Sequence, residues 1–239
     1  MRTLLGRLDP LCDGTFLDVG VNLGQTLLAF RSVTPTKPYV GVEPNPLCVA
    51  YVQRMIHEND LAQCAVIPVG LGREAGILPL QFFSGRSMDT SASIVPDFRP
   101  EQPITHTMFV PVFPYREVER AASIDRLGLV KIDVEGAEAD VLASMETSLR
   151  AHTPTIVIEI LPCYRADNHA RLARQQEIEA LMASLDYELY RIEKGADDSL
   201  QGLARIDEIG VHGDLSRCDY VLHPRARRNA LRGACRVRG

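Results

Sequence analysis

An alternation of short apolar runs with amphipathic stretches constrains this chain more than any other feature. "TFLDVG" (residues 15–20) reads as a strand and "LGQTLLAFRS" as the helix that follows it. "PYVGVEP" is a second strand ending at Glu43. "PLCVAYVQRMIHEN" is a helix with Pro46 at its first position, where a missing N–H costs nothing. "CAVIPVGLG" is a third strand. Between Gly72 and Val118 the rhythm changes: "GILPLQFF" and "THTMFVPVF" are extended and apolar, joined by the polar loop "SGRSMDTSASIVPDFRPEQP". This predicts a β insertion after the third strand, over about residues 73–118, with a loop suited to substrate contacts. The alternation resumes with the strand "LVKIDV", the helix "EADVLASMETSL", the strand "TIVIEIL" and the helix "HARLARQQEIEALMASL". The strands "YELYRIE" and "CDYVLHP" close the series. The pattern predicts an α/β fold with a mostly parallel sheet covered by helices on both faces. Ligands of such sheets sit beyond the carboxyl ends of the strands, and Asp18, Glu43, Asp133 and Glu159 all fall near such ends.

The 239 residues suit one domain, read as residues 1–224, followed by a basic stretch at 225–239. That stretch, "RARRNALRGACRVRG", carries six arginines and no acid, and its composition predicts a solvated, partly disordered tail. A net charge of -5 argues against a body built to coat nucleic acid. No run of apolar residues is long enough for a membrane span, and "MRTLLGRLDP" is too short in its apolar part for a secretory signal. Cys12, Cys48, Cys64, Cys163, Cys218 and Cys235 form no C-x-x-C pair and read as reduced thiols of a cytoplasmic protein.

The first loop, "FLDVGVNLGQT", is a strand, a glycine-punctuated turn and a helix start. A dinucleotide fingerprint needs G-x-G-x-x-G there. This chain has Asp18, Gly20, Asn22 and Gly24 in a D-x-G-x-N-x-G pattern, and Asp18 would repel a phosphate. No G-K-[ST] follows. An acid in the turn suits a ligand with positive groups, and S-adenosylmethionine has two, an ammonium and a sulfonium. Gly20 and Gly24 permit close backbone approach. Glu43 stands where an acid accepts hydrogen bonds from both ribose hydroxyls.

Taken together, "FLDVGVNLGQT", "YVGVEPNP", "VKIDVEGAEADVL" and "PTIVIEI" resemble the FkbM-type family of S-adenosylmethionine-dependent methyltransferases, over roughly residues 14–223. The unbroken K-I-D-V-E-G-A-E string from Lys131 to Glu138 is the most specific part of the resemblance. It implies a Rossmann-like class I methyltransferase sheet of seven strands with the last antiparallel. The acceptor it implies is a hydroxyl on a sugar or small natural product. By position, Asp18, Gly20, Asn22 and Gly24 match the cofactor loop, Glu43 the ribose acid, and Gly70 with Leu71 the adenine-side segment. Asp133 and Glu135 match the acidic motif after the fourth strand. Val21, Ser144 and the "PYREVERAASIDRLG" lead-in depart from the usual pattern.

Methyl transfer to a hydroxyl needs alignment and a proton acceptor or metal. Asp133, Glu135 and Glu159 are the candidate bases, and Asp133 also belongs to the cofactor set. Glu138 suits a helix N-terminus, a reading also open to Glu135, and Asp140 a solvated helix face. Two or three carboxylates together can also hold Mg²⁺, although no further ligand pattern singles out a metal. His106, His169, Ser91 and Ser93 lie where an acceptor or cofactor could be reached. Two other classes share such a sheet: a nucleotide-dependent oxidoreductase and a non-catalytic cofactor-binding module. RNA methylation finds little support in a chain with 6% aromatics and no tryptophan.

Overall fold

The computed structural model describes residues 1–86, 88–96 and 98–238; Ser87 and Asp97 of the polar loop and Gly239 lie outside the described residues. Helix α1 (Arg2–Leu8) leads into β1 (Thr15–Val19), α2 (Gln25–Arg31), β2 (Tyr39–Val42), α3 (Pro46–Glu58) and β3 (Cys64–Ile67). The expected third strand is divided, its end forming a separate β4 (Gly70–Leu71), and the insertion then supplies β5 (Gly76–Phe82) and β6 (His106–Phe113). After α4 (Tyr115–Ala121) come β7 (Leu127–Ile132), α5 (Glu138–Ser144), α6 (Glu146–His152), β8 (Thr155–Glu159) and α7 (His169–Ser184). The chain ends with β9 (Tyr187–Lys194), β10 (Leu200–Ile206), β11 (Asp219–Pro224), α8 (Arg228–Ala234) and β12 (Val237–Arg238).

The main sheet runs β12-β10-β9-β11-β8-β7-β1-β2-β3. Strands β3, β2, β1, β7 and β8 are parallel neighbours, and β11 enters antiparallel between β8 and β9. This is the expected class I methyltransferase arrangement with one correction: the sheet has nine strands, not seven. The two additions are β10, a hairpin partner of β9, and the short β12 beside it. Gly202 explains how β12 fits, because a Cβ there would stand 2.8 Å from the Arg236 carbonyl oxygen.

Side chains alternate across the strands, and the two faces pack separately. Leu17, Val130 and Ile156 join Val141 and Leu142 of α5 and Ile178 and Met182 of α7. Phe16, Leu129 and Val157 join Leu5 and Leu8 of α1, Phe30 of α2 and Val52 of α3. The helix expected across 138–149 is divided into α5 and α6 at Met145, which is wholly buried. Asn45 caps α3 by accepting from the Leu47 N–H at 3.0 Å, with Pro46 next to it.

The basic end exposes most of its arginines, as its composition suggested, but part of it docks. Leu231 of α8 and Cys235 are buried in the same core as α1. Arg227 donates to the carbonyls of Thr153 (3.1 Å) and Leu11 (2.6 Å), and Arg225 pairs with Asp186 at 3.0 Å. Burying one leucine stabilises by about 1.5–3 kcal/mol, enough to decide whether such a segment docks. The insertion forms, with β4, a second sheet, β4-β6-β5, over a small core of Leu80, Phe82 and Val110.

Candidate active site

Register gathers the polar residues. Asp18 stands opposite Gly41 on β2 and Lys131 on β7, and Lys131 opposite Val157 on β8. Phe16, Leu129 and Val157 face the α1–α3 side, so Asp18, Lys131 and Glu159, two residues further along their strands, face it too. The strands end there in a cavity of about 400 Å³. Asn22, Glu43, Gly70, Leu71, Asp133 and Glu159 are among the residues on its wall.

The glycine turn is built around backbone contact. Gly20 has φ +85°, and a Cβ on it would lie 1.8 Å from the Asp133 carbonyl oxygen. Its first service is therefore to let the ends of β1 and β7 close on each other. Gly24, at φ +80°, is the N-cap of α2 and would clash with Met55 at 2.5 Å if it carried a side chain. Asn22 adopts φ +49°, which aims its N–H at Glu43 Oε2, 2.9 Å away. The Asn45 N–H donates to Glu43 Oε1 at 2.8 Å. Burial raises the Glu43 carboxyl above its usual range, and these two amides oppose that rise. Asn22 Oδ1 is buried with no hydrogen-bond partner among the described residues.

Asp18 is placed differently from the expectation. It is wholly buried and off the cavity wall, so it is not positioned to receive a ligand's ammonium directly. Tyr39 Oη donates to its Oδ2 at 2.6 Å, and Lys131 Nζ lies 3.6 Å from its Oδ1. Gly41 leaves the room for this, since a Cβ there would press on Val21 at 2.6 Å and on the Tyr39 ring at 3.2 Å. Burial lifts the Asp18 carboxyl, against the pull of Lys131 and Tyr39. Lys131 also donates to the Gly20 carbonyl (3.2 Å) and pairs with Asp133 (3.2 Å). Burial alone would lower the Lys131 ammonium, yet the two carboxylates outweigh it and hold it above its ordinary value.

Asp133 and Glu159 follow the paired residues Ile132 and Ile158, which sets Asp133 just past the end of β7 beside Glu159, the last residue of β8. Burial, then the charges of Asp133, Asp219 and Glu135, push the Glu159 carboxyl up to about 8. Glu135 reaches the wall as well, at φ +54°, but its carboxylate is held by Arg99 at 2.5 Å. Burial raises the Glu135 carboxyl, and Arg99 opposes the rise. Glu138 is off the wall; it accepts from the Gly136 N–H at 2.9 Å, and burial pushes it to about 7. Asp140 is not simply solvated, since Arg73 bridges it to Glu177.

Several wall residues carried no signal in the sequence. Asp89, in the insertion loop, accepts from the N–H groups of Phe83, Ser84 and Ser91 and from the Ser91 hydroxyl at 2.7–3.0 Å. Burial would raise its carboxyl, but these bonds hold it well below the usual range. The Ser93 hydroxyl turns inward to the Glu135 carbonyl at 2.7 Å. Phe98 packs on Gly136, whose Cβ would come within 2.4 Å of the ring. Arg171 lies over that ring at 4.6 Å and donates to the Phe98 carbonyl at 3.0 Å. The loop is thus fastened to both the acidic turn and α7. His106 stacks on Phe82 at 4.0 Å, and neither it nor His169 is on the cavity wall. The Mg²⁺ reading finds no donor set: among the described residues no three of His, Cys, Asp or Glu are gathered as metal ligands. No helix of the described residues is long and apolar enough to cross a membrane.

A mostly parallel sheet of this order, with its cavity at the strand ends, is the Rossmann-like methyltransferase fold. The methyltransferase FkbM domain matches residues 18–189, so the chain belongs to that family. It is similar to Methyltransferase 1 of Beauveria bassiana (strain ARSEF 2860), 26% identical over 63% of this chain and 66% of the relative. It is also similar to Methyltransferase sdnD of Sordaria araneosa, 24% identical over 60% of this chain and 64% of the relative. The matches thus span just under two thirds of the length of both relatives. Among solved structures, the methyltransferase FkbM from Methylobacillus flagellatus KT superposes with a TM-score of 0.53 at 16% identity, covering 88% of this chain and 43% of that one. Cofactor-bound Rv0187 from MTB gives 0.52 at 12% identity, covering 94% and 79%. At these identities the two structures speak for the fold alone.

Proposed function

We propose that the chain transfers a methyl group from S-adenosylmethionine to a hydroxyl of a sugar or small natural product. The observation that carries this reading is the pair Asp133 and Glu159, set side by side on the wall of a cavity that also holds Glu43. The family supports the methyl donor, and the residues fit it. Glu43, oriented by two backbone amides, retains lone pairs for ribose hydroxyls, and the Asn22 Oδ1 and the open turn at residues 20–22 lie close by. Gly70 and Leu71 supply the adenine side. The donor brings a methyl carbon already activated by its sulfonium, so the protein needs to align the acceptor and remove a proton.

Glu159 is the base in this account. Its raised carboxyl affinity for protons makes it a better acceptor than an ordinary carboxylate. Asp133, paired with Lys131 at 3.2 Å, lies beside it on the cavity wall. Glu135 serves chiefly as the anchor for the insertion loop through Arg99. That loop, with Asp89 at the wall, contributes the acceptor side.

Incubation with S-adenosylmethionine and matched panels of hydroxyl and amine compounds, read by mass spectrometry, tests the reading. Replacement of one hydrogen by methyl on oxygen is the expected product. Transfer confined to amines would overturn the O-acceptor assignment.

A further inference from the structure

Asp18, Tyr39 and Lys131 form a connected polar group of which only Lys131 reaches the cavity. Asp18 has none of its surface exposed, its Oδ2 takes the Tyr39 hydroxyl at 2.6 Å, and the Lys131 ammonium lies 3.6 Å from its Oδ1. Lys131 is 7% exposed, and its Nζ lies between that carboxylate and Asp133 at 3.2 Å on the wall. Burying an ammonium here would be costly without both carboxylates. The arrangement places one positive and two negative charges directly beneath and beside the strand-end cavity.

We infer that Asp18 is a positioning residue that acts through Lys131: by neutralising the ammonium from behind, it leaves Asp133 free to favour a cationic ligand. It thereby sets how strongly the cavity prefers S-adenosylmethionine over S-adenosylhomocysteine. The inference rests on the methyl-donor reading above. The two ligands differ by the sulfonium charge, so their affinity ratio reports the field at the wall while contacts common to both cancel. Counted as formal charges, Lys131 and its two carboxylates sum to one negative charge. With Asp18 replaced by a neutral residue they sum to zero, and the preference for the cation falls.

Asp18→Asn is the informative variant, because asparagine keeps the shape and can still accept from Tyr39. Lys131→Met is less informative, since a buried carboxylate stripped of its cation takes up a proton and cancels the change. Calorimetric titration of wild type and Asp18→Asn with both ligands is the test. The expected result is a fall of about fivefold to tenfold in the S-adenosylmethionine to S-adenosylhomocysteine affinity ratio, with S-adenosylhomocysteine affinity held within about twofold. Tyr39→Phe, which removes a hydrogen bond but no charge, leaves the ratio at its wild-type value. Equal loss of both ligands in Asp18→Asn, or an unchanged ratio, would overturn the inference. If Asp18→Asn does not fold, Asp18→Ser, which also removes the charge, carries the test with the same sign. Wild type that binds neither ligand would instead remove the methyl-donor reading, an outcome distinct from an unchanged ratio.

Discussion

Glu159→Gln lowers kcat by about 10²–10⁴-fold while leaving S-adenosylhomocysteine affinity nearly intact, the loss expected for a general base. Wild-type activity rises with pH through about 8, because the base must be ionised to accept a proton. In the variant that limb of the profile disappears. The same carboxyl makes a stability prediction of definite sign. Its folded-state proton affinity is raised, so between the ordinary glutamate range and about 8 the folded protein holds more protons than the unfolded chain. Wild-type stability therefore falls as pH rises through that window. Glu159→Gln has no such fall: it melts higher than wild type above that window, relative to its standing below it. A kcat unchanged by the substitution would remove Glu159 from the chemistry.

Gly20→Ala destabilises the fold by roughly 3–5 kcal/mol, at the upper end for a single substitution. Two terms act together. The residue sits at φ +85°, which costs an alanine about 1–2 kcal/mol. The added Cβ would also lie 1.8 Å from the Asp133 carbonyl oxygen, so β1 and β7 must part at the point that positions Asp133. Gly76→Ala is the control, because a Cβ there meets nothing within 4 Å. Denaturant midpoints of the two variants and wild type, compared at equal slope, decide the matter. A Gly20→Ala midpoint level with that of Gly76→Ala would show that the turn relaxes without cost.

Much of this arrangement was legible in the chain because it depends on local patterns. Apolar runs of strand length ending in Asp18, Glu43, Asp133 and Glu159 place those acids at one end of a parallel sheet, and the register of β7 with β8 brings the last two together. Whether an acid faces the cavity was not legible. Asp18 turns away because Gly41 on the neighbouring strand leaves space for Tyr39 and because Lys131 sits in register beside it. Those are contacts between strands, invisible to periodicity along one strand. Asp89 was missed for a similar reason: its position is fixed by three backbone amides and one hydroxyl within an irregular loop. Glu135 looked like a free base until Arg99, 36 residues earlier, was seen to hold it. At the arginine-rich end, composition anticipated the exposed arginines but not the docked residues. One buried leucine and two arginines bonded or paired to distant parts of the chain dock the segment despite six positive charges.

The central claim, a methyl-donor cavity at the carboxyl ends of β1, β2, β7 and β8, is tested most directly by calorimetric titration with S-adenosylhomocysteine. Wild type and Glu43→Ala are compared, with NAD as the control ligand. The account predicts saturable binding to wild type and none of NAD. It predicts a loss of about tenfold to a hundredfold in Glu43→Ala, from the hydrogen bonds a charged acceptor makes to ribose hydroxyls. Saturable binding of NAD with none of S-adenosylhomocysteine would contradict it.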